Sequence, residues 1–204
     1  MENNHEPLYL YPVWIRLWHI LNALLCLILI VTGLSIQFSN PTITVKFSAA
    51  VAIHNVAGVL LSINYALFFL GNLFTKNGGY YVIEVRGFFS RLKEQFHHYT
   101  IGVFKKEKAP FPVTMESKFN PLQQFSYVAI MYTVLPLVIL SGIGLLYPEI
   151  TVNSLIGISG LDYTDLLHLT GGFFVSIFMC IHIYFCTFGK TTLSNFKSII
   201  NGYH

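Results

Sequence analysis

The chain has 204 residues, of which 54% are hydrophobic and only 10% are charged, and its mean hydropathy is +0.60. In an ordinary soluble domain about a quarter of the residues are charged. This composition therefore excludes a soluble domain and predicts a single integral membrane domain over residues 1–204. The formal charge of +3 is small, and no nucleic-acid partner is expected.

Four stretches are apolar enough and long enough to cross a bilayer as helices. They cover residues 13–38, 47–73, 121–147 and 165–188. A polar segment, residues 75–120, separates the second from the third, and we expect a surface helix within it at 80–96. Pro136 is expected to kink the third span. The sequence therefore predicts an all-α, four-helix membrane bundle.

The basic residues are distributed very unevenly between the two ends of this bundle. Eleven fall on the side of both termini, and only Lys46 falls on the other side. Loops that carry an excess of Lys and Arg stay in the cytoplasm. We therefore expect cytoplasmic termini and a cytoplasmic 75–120 loop in a multi-pass protein of the bacterial inner membrane. The eleven are Arg16, the eight basic residues between Lys76 and Lys118, Lys190 and Lys197.

The fourth span carries two histidines, His168 and His182. An ionisable side chain inside a membrane span is costly and is a functional hypothesis by default. They are fourteen positions apart, which is close to four helical turns, so the two rings lie about 40° apart around the axis and roughly 21 Å apart along it. This spacing favours two ligand sites, one near each membrane face.

Two further histidines, His19 and His54, stand near the starts of spans one and two. The direction of each span places His19 with His182 near the inner face, and His54 with His168 near the outer face. Each pair comes from two different helices at matching depth, which is what a bis-histidine haem in a helical bundle needs. We therefore predict that all four are axial ligands of haem iron. For any one histidine taken alone, a packing role is the alternative.

Neighbouring residues fit this prediction. Gly58 and Gly172 each follow a histidine by four residues and would leave room for a flat macrocycle, and Gly33 follows His19 by fourteen. Arg16, one turn before His19, is placed to pair with a haem propionate. Close helix packing for the glycines and snorkelling for Arg16 are the alternatives.

The three cysteines, Cys26, Cys180 and Cys186, all lie in apolar spans. They form no C-x-x-C motif, so the sequence excludes covalent c-type haem attachment. We interpret them as buried thiols that pack as small hydrophobic residues.

The segments YPVWIRLWH, HNVAG, KFNPLQQFSY and LHLTGGFFVSIFMCIHIYF resemble the di-haem cytochrome b subunits of membrane-bound respiratory complexes. These include formate dehydrogenase gamma, nickel–iron hydrogenase and, most similar, thiosulfate reductase subunits. The resemblance implies two haem b groups and a site for menaquinone or ubiquinone near the inner haem. The residues of this chain that match the quinone site are Asn120 and Gln123. The alternatives are helix capping for Asn120 and interface solvation for Gln123. We interpret Lys118 as a lipid-headgroup anchor.

The same resemblance implies an electron-transfer function. Electrons would pass between the quinone pool and a partner on the outer face, an iron–sulfur or multihaem cytochrome c subunit with its catalytic subunit. The chain would then be the quinone-reactive subunit of a respiratory oxidoreductase, with lipid and quinone as its membrane partners. Partner-docking segments of the formate dehydrogenase type have no match here, which leaves the partner open.

Three other functions remain open at this point. One is a self-sufficient di-haem cytochrome of the b561 type that reacts with a small molecule and has no partner subunit. Another is a haem-free transporter or proton relay, which would usually carry more Asp or Glu within its spans. The third is a haem-free membrane anchor for a peripheral enzyme.

Overall fold

The computed structural model describes residues 8–38, 46–155, 157–189 and 191–203, so Lys190 of the basic set lies outside the described residues. Four of its helical segments are long and apolar enough to cross a membrane, and the predicted all-α membrane bundle is confirmed. The helices are α1 (Val13–Phe38), α2 (Phe47–Phe74), α3 (Phe88–His97), α4 (Pro121–Ala129), α5 (Leu135–Leu146), α6 (Gly160–Cys186) and α7 (Ser194–Asn201).

The fourth spanning helix, α6, begins five residues before the predicted start at 165. Gly160 fits this start because a Cβ atom there would collide with the carbonyl of Val152. Asp162, in the first turn, is favourable beside the positive end of the helix dipole. These polar first residues lower the local hydropathy, which is why the sequence places the start of the span too late.

The third span is a single run built from α4, a π-helical turn (Ile130–Val134) and α5. In this turn the backbone N–H of Leu135 bonds to the carbonyl of Ile130, five residues back. Pro136 follows at once and has no N–H to donate. The wider turn therefore absorbs the proline, and the helix continues through it.

The surface helix of the inner loop (residues 75–120) is shorter than predicted. It begins at Phe88 and not at residue 80, because Gly87 before it adopts a left-handed conformation with φ of 69°. Residues Lys76–Tyr81 form a 3-10 turn instead. The prediction of a helix over the whole of 80–96 was therefore wrong, and only the second half of this segment is α-helical.

Two helical hairpins make up the bundle, α1 against α2 and α5 against α6. The core lies between the first hairpin and the third span, where Trp18 stacks on Phe68 with ring centroids 4.2 Å apart. In contrast, α6 has only two buried residues among those that the structure describes, both glycines (Gly160 and Gly171), and little contact with α1 and α2. A gap therefore separates α6 from the first hairpin. The buried core residues are Leu25, Cys26, Ala57, Leu61, Phe68, Met131 and Leu135.

Both described chain ends lie at the same end of the bundle. Tyr9 forms a β-bridge with Tyr203, and the ammonium of Lys118, from the inner loop, lies 5.7 Å from the ring centroid of Tyr11. At the opposite end, between α5 and α6, two short strands pair antiparallel: β1 (Ser154–Leu155) and β2 (Ile158–Ser159).

Candidate functional site

The four membrane histidines meet in the two pairs that their depths predict. The ring centroids of His19 and His182 are 6.1 Å apart, with 54° between the ring planes. Those of His54 and His168 are also 6.1 Å apart, with 74° between the planes. All four side chains are half-buried and face one another across the gap beside α6.

This separation fits one metal ion between the rings of each pair. A metal–imidazole bond is roughly 2 Å long and the ring centroid lies about 1 Å beyond the nitrogen, so two rings on one ion stand about 6 Å apart. Among the described residues, no group of three or more His, Cys, Asp or Glu could hold a metal ion. Two protein ligands on opposite sides suit iron whose other ligands come from a macrocycle.

Hydrogen bonds fix the tautomer of His54. Its Nδ1 lies 2.9 Å from the hydroxyl of Thr32. That hydroxyl donates its one proton to the carbonyl of Ile28, at 2.7 Å, so His54 Nδ1 is the donor in the contact between them. The lone pair is left on Nε2, which is the atom able to bind iron.

His168 is held in the same way from α5. Its Nδ1 lies 3.0 Å from the carbonyl of Val138, which can only accept, and 3.1 Å from the hydroxyl of Ser141. Nδ1 therefore carries the proton, and Nε2 is again the ligand atom. Sequence reasoning missed Thr32 and Ser141, because a hydroxyl in an apolar span is only a weak signal of such a contact.

Two glycines let the outer pair approach its neighbours closely. A Cβ atom at Gly142 would lie 3.0 Å from Cε1 of His168, and one at Gly33 would lie 3.4 Å from Cε1 of His54. Gly33 therefore contacts the outer pair. By contrast, a Cβ atom at Gly58 or Gly172 would meet nothing within 4 Å. These last two glycines border open space beside the outer ligands, as a bound macrocycle requires.

The inner pair lies among aromatic side chains. Phe178 stacks on His182 with 16° between the ring planes, and Trp18 lies edge-on to His19. The hydroxyl of Tyr127 makes a long contact of 3.4 Å with His182 Nδ1. Tyr127 could not be identified from the sequence, because its contact depends on how α4 is rotated against α6. Cys186 Sγ lies 3.7 Å from His182 Nε2, four residues along the same helix.

Arg16 joins α1 to the C-terminal helix. Its guanidinium donates to the carbonyl of Ile200. Its Nε is buried and has no hydrogen-bond partner among the described residues. A buried donor of this kind calls for an acceptor, and a haem propionate would provide one. The pairing of Arg16 with a propionate stays a prediction.

Asn120 and Gln123 form a capping box at the start of α4. The side-chain oxygen of Asn120 accepts from the backbone N–H of Gln123 at 3.0 Å, and the side-chain oxygen of Gln123 accepts from that of Asn120 at 3.2 Å. Asn120 Nδ2 also donates to the hydroxyl of Tyr99 at 2.6 Å. Helix capping, the alternative for Asn120, is thus present, and quinone contact stays a prediction for both residues.

Lys118 does not extend into solvent as an exposed anchor would. Its residue surface is only 7% exposed, and its ammonium lies 4.1 Å from the ring centroid of Tyr80.

Facing imidazoles between apolar helices are typical of membrane b-type cytochromes. The chain matches the family described as prokaryotic cytochrome b561 over residues 10–202 and belongs to this family. It is 40% identical over 200 residues to an Escherichia coli (strain K12) protein named "Putative cytochrome YdhU", covering 98% of this chain and 75% of that protein. No solved structure matches the chain.

Family membership makes this a multi-pass membrane cytochrome that binds b-type haem. It favours a haem protein over the proton-relay, transport and anchor alternatives.

Proposed function

We propose that this chain is the membrane electron-transfer subunit of a respiratory oxidoreductase, carrying two b-type haems. It moves electrons between the quinone pool and a partner subunit on the outer, periplasmic side. The observation that supports this is the presence of two histidine pairs, each with ring centroids 6.1 Å apart, at different depths of one bundle. A b-type haem held by each pair supplies reversible one-electron transfer at its iron.

At the outer pair, hydrogen bonds from the protein hold the two histidine rings in place. Thr32 and the Val138 carbonyl both accept from a histidine Nδ1. Such a contact holds the ring in one orientation and makes Nε2 a more basic ligand.

The distribution of basic residues supports the proposed sidedness. Eleven of the twelve Lys and Arg residues belong to the end that holds the termini and the 75–120 loop. Positive loops stay inside, so the His19–His182 pair is the inner one. The inner pair then lies on the side where quinone chemistry exchanges protons with the cytoplasm.

The start of α4 offers hydrogen-bond donors to a quinone beside the inner pair. Asn120 and Gln123 use their side-chain oxygens for capping, so their remaining amide N–H groups are the atoms suited to a quinone carbonyl. Tyr99 packs against Phe185, three residues beyond His182, with ring centroids 4.6 Å apart and 34° between the ring planes. Asn120 therefore lies close to the helix end that carries this ligand.

Tyr99 adds a proton donor at this place. Burial raises the pKa of its hydroxyl above the usual value, so it stays protonated at neutral pH. Its oxygen accepts from Asn120, which leaves its O–H proton to donate. We propose that Tyr99 hydrogen-bonds the same quinone head group as Asn120.

The outer end presents a surface for a partner. Between α5 and α6, Ile150 is 64% exposed, Val152 59% and Ile158 48%. Exposed apolar side chains in a connecting loop are typical of protein–protein contacts. We propose that an iron–sulfur or multihaem cytochrome c subunit docks there together with its catalytic subunit.

The quinone part is tested by the rate at which a quinol analogue reduces the purified haem-loaded protein. Asp caps a helix as well as Asn does, so Asn120→Asp keeps α4 intact but removes the amide donor. We expect slower reduction with unchanged haem content, and normal reduction for the matched control Asn153→Asp on the outer side. An unchanged rate in Asn120→Asp would remove this residue from the quinone site.

A self-sufficient b561-type cytochrome is the second candidate, and the family match favours it equally. Affinity purification of the tagged chain from its native membrane separates the two. A stoichiometric outer subunit carrying iron–sulfur clusters or c-type haem supports the respiratory subunit. A chain that purifies alone and exchanges electrons with a small molecule supports the self-sufficient cytochrome.

A further inference from the structure

A cavity of about 300 Å³ lies at the inner end of the bundle, apart from both histidine pairs. Its walls come from the segment before α1 and the first turn of that helix, the 3-10 turn that follows α2, and Lys118 of the loop before α4. The lining includes Trp14, Thr75, Lys76, Asn77, Tyr80 and Lys118.

Lys118 is a buried cation on the wall of this cavity. Only 7% of its surface is exposed, and among the described residues no carboxylate lies within 4.0 Å of its ammonium. Its polar contacts are a long one of 3.4 Å to the side-chain oxygen of Asn77 and the face of the Tyr80 ring. Burying an ammonium without a counter-charge is unfavourable, and it lowers the pKa of Lys118.

Neighbouring hydrogen bonds hold this wall in place. The side-chain N–H of Asn77 donates to the side-chain oxygen of Asn72 at 2.7 Å, and its backbone N–H donates to the hydroxyl of Thr75. Asn77 therefore presents its oxygen to Lys118 from a fixed position. The ammonium keeps two further N–H groups for a ligand.

The cavity is positively charged as a whole. Lys76, which is exposed, is the second cation of its wall, and among the residues that the structure describes no acidic one belongs to the lining. A concave site with two ammonium groups and no carboxylate attracts anions.

The depth of the cavity matches that of lipid phosphate groups. Its wall includes Trp14, in the first turn of α1, and Thr75, directly after the last residue of α2. Both helices cross the membrane, so the cavity lies at the boundary between hydrocarbon and water. Tryptophan is enriched at this boundary.

We propose that this cavity binds a phosphate group between the ammonium groups of Lys118 and Lys76. A phospholipid head group and a soluble phosphate compound both carry this chemistry. The bound phosphate supplies a counter-charge to Lys118, which has none among the described residues, and fastens the inner ends of α1 and α2 to the loop before α4.

The first test is a footprint on the wild-type, haem-loaded protein in a phosphate-free detergent. An amine-acylating reagent is applied with dioleoylphosphatidylglycerol, with dioleoylglycerol or with inorganic phosphate, and acylation of each lysine is measured by mass spectrometry. Phosphatidylglycerol should protect Lys76 selectively and leave the exposed loop residue Lys105 fully reactive. Dioleoylglycerol, which has the same chains and no phosphate, should protect neither.

The second test measures the affinity for phosphatidylglycerol in variants. Lys118→Met removes the charge and keeps most of the length of the apolar side chain. A hydrogen bond to a charged group is lost, so binding should weaken about 10- to 100-fold. Lys118→Arg should retain binding, and so should the control Lys105→Gln.

The outcomes separate the possible ligands. Protection by phosphatidylglycerol alone assigns the site to a lipid head group, and equal protection by inorganic phosphate assigns it to a soluble compound. Equal protection by dioleoylglycerol, or no selective protection of Lys76, overturns the proposal. A folded Lys118→Met variant that binds like wild type also overturns it. If that variant does not fold, the wild-type footprint decides.

Discussion

Gly172 gives a sharp test of haem at the outer histidine pair. A Cβ atom at this position meets no atom of the described residues within 4 Å. In the protein alone, Gly172→Leu is therefore tolerated, and it removes the helix penalty of glycine, about 1 kcal/mol. If a macrocycle fills the open space, the same leucine collides with it.

The expected magnitude follows from this clash. Inserting extra methylene groups into a filled site typically costs about 1–3 kcal/mol, which corresponds to haem binding about 5- to 150-fold weaker. We therefore expect Gly172→Leu to hold less outer haem than wild type and to keep the inner one. The assay is the haem-to-protein ratio by pyridine haemochrome, together with the thermal unfolding midpoint of the protein.

Two other glycines serve as controls. A Cβ atom at Gly79 also meets nothing within 4 Å, but this residue lies in the inner loop, so Gly79→Leu should keep full haem content. A Cβ atom at Gly171 would collide with Val138, so Gly171→Leu should destabilise the protein whether or not haem is bound. Full haem content in Gly172→Leu, with an unchanged spectrum, would refute our assignment of the open space to haem.

Each variant that removes one histidine ligand should keep one haem. His182→Ala should lose the inner haem and be reduced more slowly by quinol. His54→Ala should lose the outer haem and be reduced by quinol at the normal rate. Two haems in both purified variants would disprove the pairing. Ser141→Ala removes a hydroxyl contact to an outer ligand and should weaken outer haem binding about 10-fold, while Ser176→Ala, which loses only a bond to its own helix, should not; equal haem titrations would exclude the contact. In a cysteine-free background, Asn153→Cys should react with an impermeant thiol reagent from outside intact cells, and reaction only after lysis would invert the topology.

Hydropathy was sufficient to predict the four spanning helices, because backbone polar groups in lipid must bond within their own helix. The depth of each histidine followed from its place in a span and from the direction of that span. For this reason the sequence alone pairs His19 with His182, and His54 with His168. Hydropathy did not predict the first turn of α6, because polar residues such as Asp162 lower the mean hydropathy there.

The sequence does not predict which side chains of neighbouring helices contact one another. Thr32 reaches His54, and Ser141 reaches His168, only at one rotation and one vertical offset of neighbouring helices. Periodicity within a single helix determines neither quantity. Tyr127 was missed for the same reason.

The inner loop was the least predictable part, since lipid does not constrain it. The left-handed conformation of Gly87 sets the start of α3, and a sequence pattern of apolar residues continues across it. The burial of Lys118 depends on Tyr80 and Asn77, which come from the far end of the same loop.

The central claim is that the two histidine pairs hold two haems. The most direct measurement is the dithionite-reduced minus oxidised optical spectrum of the purified protein, with a pyridine haemochrome count per chain. We predict b-type spectra and two haems per chain. A protein that purifies folded and without haem would contradict the account, and the four histidines would then be packing residues or proton carriers.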